Sequence, residues 1–97
     1  MTTLDSSQVP EKFRRLIPLA ERWGIGDDFL REEAVRKATG RDLEELLAFR
    51  EDFDAVAEWL AGPESYSSHP TPEYIAFSDL AMAWELANLI VKQHAAA

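Results

Sequence analysis

The chain has 97 residues, 46% of them hydrophobic, with no cysteine and a formal net charge of −8. That length supports a single domain, residues 1–97, with a modest core. The lack of cysteine excludes disulfides, thiol catalysis and Cys-type zinc sites. The negative balance argues against binding nucleic acid or an anionic membrane.

No stretch alternates apolar and polar residues with period 2, so no strand is expected and the predicted fold is all-α. We expect a small helical bundle: a broken N-terminal helix plus three helices, the C-terminal one central. The opening Met1-Thr2-Thr3-Leu4-Asp5 has neither a basic n-region nor an apolar h-region. No secretory signal is expected, and a cytoplasmic location is. Residues 1–9 are polar and expected to fray. Pro10 opens the first helix, with Phe13, Leu16, Ile17, Ala20 and Trp23 on one stripe. Pro18 removes a backbone bond to Arg14 and predicts a kink or a fresh start. Gly24 stops the helix, with Ile25 placed for the contact of a Schellman-type end.

Gly26-Asp27-Asp28 caps the second helix, about 28–38, with both carboxylates at the positive end of its dipole. Leu30, Ala34, Val35 and Ala38 are expected to face inward. Glu32–Arg36 and Glu33–Lys37 are i,i+4 pairs in the favourable order. Thr39-Gly40 ends this helix. Asp42 and Glu45 have capping-box spacing and start a third helix, about 42–61, striped by Leu46, Phe49, Phe53, Val56 and Leu60. Gly62-Pro63 stops it, and the loop Gly62–Pro70 leads to the fourth helix.

That last helix, about 71–93, has Thr71 as N-cap and Pro72 at its first position. Phe77, Leu80, Ala81, Trp84, Ala87 and Val91 share one face; Ile75, Met82, Leu86, Leu89 and Ile90 share the opposite one. Ser78, Glu85 and Lys92 make a polar strip between them. Two apolar faces need cover on two sides. Either the other helices wrap this one, or a second copy does, as a homodimer through Ile75, Met82, Leu86 and Leu89. The polar interruptions weigh against a membrane span. Ala95-Ala96-Ala97 reads as a vector-derived tail and is left aside with His94. The third and fourth helices both carry a 3-4 repeat, which predicts an antiparallel pair at a shallow angle.

The runs LIPLAERWGIGDD (16–28), EWLAGPE (58–64) and EYIAFSDLAMA (73–83) resemble stretches of small acidic bacterial proteins of uncharacterised function. They cover about a third of the chain. The resemblance implies a bacterial cytoplasmic origin and carries no activity with it.

Chemical constellations are sparse. His94 has no acidic residue or second histidine at helical metal-site spacing, and His69 lies in the loop, with Pro70 and Pro72 between it and Glu73. Glu51 and Asp54 form an E-x-x-D step, which needs a second acidic pair on a facing helix to surround magnesium. Asp42 with Glu45 is the comparable step, and it lies on the same helix. No metal or cofactor is therefore expected. The serines lack a nucleophile-elbow motif, Gly24-x-Gly26 lacks a third glycine and a preceding strand, and a helix-turn-helix made of the second helix, Thr39-Gly40 and the third helix would present Asp42, Glu44 and Glu45 to DNA.

Charge distribution is the informative feature. Residues 1–50 hold nine of the ten basic residues; from Glu51 onward eight acids face Lys92 alone. Glu51, Asp54 and Glu58 at i, i+3 and i+7 form a carboxylate ridge away from the apolar stripe. A solvated face that aids solubility is the plainer explanation of this ridge, and a docking surface for a basic partner is the functional one. The reading adopted is a protein–protein interaction module (immunity-, antitoxin- or adaptor-like) that docks a basic protein partner through Glu51, Asp54 and Glu58. Trp59 and Tyr66 are its candidate aromatic anchors. The alternative is a minimal metal-dependent hydrolase with Asp54, Glu58, His69 and Tyr66 around the 62–70 loop.

Overall fold

A computed structural model describes residues 4–62 and 71–96. Among them the chain forms five α-helices: α1 (Ile17–Trp23), α2 (Asp28–Lys37), α3 (Gly40–Ala48), α4 (Arg50–Ala61) and α5 (Pro72–Ala96). Two 3-10 turns, Ser6–Gln8 and Glu11–Leu16, precede α1, and no strand occurs among the described residues. The fold is a small all-α bundle in which α1, α2, α3 and α4 all pack on α5.

Local chemistry accounts for most of the boundaries. Glu11–Leu16 winds as a 3-10 helix and turns into α1 at Ile17, with Pro18 in the first turn, where its missing N–H costs nothing. Gly24 ends α1 without the left-handed residue of a Schellman motif. Its φ of −77° and ψ of 61° make an inverse γ-turn, in which the Ile25 N–H donates to the Trp23 carbonyl at 2.8 Å. Glycine is required there because α5 passes close. An added Cβ would lie 2.5 Å from the Ala20 carbonyl oxygen and 3.1 Å from Ala76 Cβ.

Asp27 caps α2 by accepting from the Leu30 N–H at 3.0 Å. Glu32–Arg36 at 2.8 Å and Glu33–Lys37 at 2.6 Å form the two expected i,i+4 pairs. One expectation for α2 fails. Leu30 is 52% exposed rather than inward, and Arg31 is instead turned into the bundle with 7% exposure. The inward stripe is Arg31, Ala34, Val35 and Ala38, and Leu30 falls to its flank.

The third predicted helix is two helices. It begins earlier, at Gly40, whose φ of +56° suits a residue with no Cβ, and it breaks at Phe49. There the Phe49 N–H bonds back only three residues, to Leu46 at 3.2 Å, which tightens the last turn of α3. Asp42 and Glu45 do not form the capping box. Asp42 sits 2.7 Å from Arg22 of α1, and Glu45 lies 3.6 Å from Arg22 and 3.4 Å from Arg41. The stripe survives the break: Leu46, Phe49 and Val56 are buried, Phe53 and Leu60 half-buried.

Helix α5 opens as predicted. Thr71 Oγ1 accepts from the Tyr74 N–H at 3.1 Å, and the helix runs past its expected end near Gln93. Its buried face is Ala76, Phe77, Leu80, Ala83 and Ala87; the three alanines let neighbouring helices approach closely. The Tyr74 hydroxyl donates to the Leu60 carbonyl at 3.1 Å, and the Trp84 indole N–H donates to the Leu47 carbonyl at 3.4 Å. Both bonds tie α5 to the ends of α3 and α4. Polar interruptions do not disqualify this helix by composition. Pro72–Gln93 is long and apolar enough to cross a membrane, with a hydropathy of 1.3. In the described fold it is the shared core of four other helices, and two buried carboxylates sit along it.

Those carboxylates are Glu73 and Asp79. Glu73 accepts from the Asp5 N–H at 2.9 Å, which ties the N-terminal segment to α5. Asp79 is 8% exposed and accepts from Arg31 Nη2 at 2.9 Å. Arg31 also donates to Asp28 at 2.7 Å and to the Ile25 carbonyl at 2.9 Å. Burial pushes the Asp79 carboxyl above its ordinary value, with the Arg31 charge opposing it.

Candidate functional site

The acidic ridge lies on α4. Glu51 is in its first turn, where the helix dipole favours a carboxylate without any partner. Asp54 and Glu58 follow one and two turns on, so the three side chains span about 10 Å along the axis. All three are exposed, and among the described residues none of them makes an ion pair. Arg50, four residues before Asp54, is exposed and forms no ion pair among the described residues. Glu58 lies in the last turn, where the dipole disfavours it. The fold therefore gains nothing from the charges at Asp54 and Glu58, and like charges at i,i+4 cost about 0.2–0.5 kcal/mol.

The surrounding acids are accounted for differently. Asp52, next to Glu51, is half-buried and paired with Arg15. Asp79 is paired with Arg31 and Glu73 is buried. The expectation that the acids after Glu51 lack bases of their own is thus corrected. Folding brings Arg15 and Arg31, from the basic half of the chain, onto Asp52 and Asp79. Among the described residues from Glu51 onward, the exposed carboxylates are Glu51, Asp54, Glu58 and, on α5, Glu85.

Trp59 turns toward the bundle. Its ring is half-buried, with Phe13 at 5.7 Å, Phe77 at 5.4 Å edge-on and Tyr74 at 6.5 Å edge-on. Phe13 is the N-terminal aromatic residue that packs on it. Its ring belongs to the packing between α4, α5 and the N-terminal segment. Tyr66 and His69 lie outside the described residues.

Among the described residues no three His, Asp or Glu side chains come together as a metal site. An open groove of about 450 Å³ is lined by Arg15, Leu16, Leu19, Arg22, Glu45 and Ala48. Both its arginines are already paired, Arg15 with Asp52 and Arg22 with Asp42 and Glu45. Ile75, Met82 and Leu89 of α5 are 46%, 49% and 53% exposed, and Leu86 is half-buried.

The ionic centre that sequence reasoning missed is Arg31–Asp79. A signal for it existed. Arg31 stands at i−3, i−4 and i−7 from Ala34, Val35 and Ala38, on the stripe that faces the core. No family model, curated protein or solved structure matches the chain.

Proposed function

We propose that the protein is an interaction module that docks a basic protein surface through the α4 ridge, Glu51, Asp54 and Glu58. One observation carries this reading: three exposed carboxylates on one helix face, without ion pairs among the described residues, beside other acids that the fold neutralises. Clustered unpaired charge raises the encounter rate with a cationic partner and orients it. Trp59 contributes by holding α4 in place, since its ring is shared with Phe13 and Phe77.

The test is charge reversal. Asp54→Lys with Glu58→Lys should abolish capture of the partner while circular dichroism stays unchanged, because both side chains are exposed. Binding by the wild type should weaken as salt shortens the Debye length from about 10 Å to about 3 Å. Unchanged capture by the double variant would reduce the ridge to solvated surface.

A further inference from the structure

We propose that the chain forms an antiparallel homodimer along the exposed face of α5, with Met82 on the two-fold axis. Three observations lead there, none of them involving the α4 ridge. The first is the pattern of exposure. Ile75, Met82 and Leu89, exposed by 46%, 49% and 53%, are spaced by seven and line up along the helix. About a third of the apolar stretch of this helix is buried by the rest of the fold. The four shorter helices and the 3-10 segments occupy the other side.

The second is symmetry. An isologous interface must be self-complementary. With the axis at Met82, Ile75 meets Leu89 of the partner subunit and Met82 meets the partner's Met82. On the flanks Glu85 meets Ser78 of the partner subunit, and Leu86 meets the partner's Asp79. No carboxylate is set against a free carboxylate, because Asp79 is already held by Arg31 at 2.9 Å.

The third is charge and area. Each copy carries a net −8, so two copies can approach only where local charge is low. From Tyr74 to Val91 the charged residues of α5 are Asp79 and Glu85, the first neutralised. A seam from Ile75 to Leu89, symmetric about Met82, is about 21 Å long and about 10 Å wide. It would remove on the order of 400 Å² from each copy, about 800 Å² in total, the size of a weak, reversible contact. Such a dimer belongs in the micromolar range, and a foreign basic partner would be drawn to the ridge instead.

The chain has no cysteine, which makes the test clean. Sedimentation velocity over about 5–200 µM should show a monomer–dimer equilibrium, and Met82→Glu should raise the dissociation constant at least about a hundredfold by burying facing charges. On oxidation Met82→Cys should cross-link to itself. Ile75→Cys should cross-link to Leu89→Cys when the two are mixed, and neither alone, since in this register like positions lie about 21 Å apart along the axis, beyond disulfide reach of about 7 Å. The cysteine variants report even if Met82→Glu does not fold. A monomer across the whole range would overturn the proposal, as would a dimer indifferent to Met82→Glu. Self-cross-linking of Ile75→Cys would overturn the antiparallel register. Binding of the monomer to phosphatidylcholine vesicles through this face would assign it to a lipid surface instead.

Discussion

Replacing Arg31 with Met should make stability depend on pH more steeply than it does in the wild type. Arg31 is 7% exposed and Asp79 8%, and the Asp79 Oδ2 is buried without a partner even in the intact protein. Without the guanidinium, the carboxyl has two courses. It stays charged and unpaired, at about 3–5 kcal/mol. Or it takes a proton, which at pH 7 costs about 4 kcal/mol for a group whose ordinary pKa is about 3.9. Both routes give about 3–4 kcal/mol at neutral pH, a large part of the stability of a domain this size. Near pH 4.5 the proton costs only about 1 kcal/mol, so most of the loss should vanish. The sign agrees with linkage. Asp79 already sits above its ordinary value through burial, so the stability tied to it is full below about pH 4 and is lost as pH rises through the raised folded value. Removing Arg31 raises that value further and steepens the decline. Urea unfolding of the wild type, Arg31→Met and Arg31→Met with Asp79→Leu, each at pH 4.5 and pH 7, measures this. The double variant should recover to within about 1 kcal/mol of the wild type at both pH values, since an apolar pair leaves no charge behind. An equal loss for Arg31→Met at the two pH values would refute the argument.

Gly24→Ala should lower stability by about 2 kcal/mol, on the order of 10 °C in Tm, because its Cβ would meet the Ala20 carbonyl oxygen at 2.5 Å and the Ala76 side chain at 3.1 Å. A thermal melt that does not move would mean that α1 and α5 separate without cost. Asp27→Ala should cost about 1 kcal/mol through the lost bond to the Leu30 N–H, and Asp27→Ser should restore most of it. Chemical denaturation of the three proteins distinguishes a cap from a plain surface charge, which serine would not replace.

Elements announced by neighbouring residues were readable in the chain. Thr71-Pro72, Asp27 and the Glu32–Arg36 spacing each act within one turn of helix, so their effect needs nothing from elsewhere. The mostly apolar run from Ile75 to Ile90 pointed to a central helix for the same reason. Some of the misreadings depend on a distant partner. Asp42 looks like a helix cap until Arg22 of α1 is beside it. Arg31 looks like a surface residue until α5 supplies Asp79. The break at Phe49 has no proline or glycine to mark it, and the stripe from Leu46 to Leu60 runs straight through it. At the candidate site, the spacing of Glu51, Asp54 and Glu58 was enough to place a ridge. Which of the neighbouring acids folding would neutralise was not legible, because Arg15 and Asp52 are separated by 37 positions.

The place of α5 has a consequence for how the polypeptide is made. The extensive packing of α1 to α4 is on α5, and the N-terminal segment closes on Glu73, 68 positions away. A nascent chain ending before residue 72 therefore carries Phe13, Trp23, Phe49 and Val56 without the helix on which all four of its helices pack. It emerges from the ribosome as amphipathic segments that cannot settle, and cooperative collapse waits for the C-terminal helix. Such an order of events lengthens the interval in which chaperones and proteases have access. It also favours slower folding than an up-and-down bundle of equal size, whose neighbouring helices can pair as they appear.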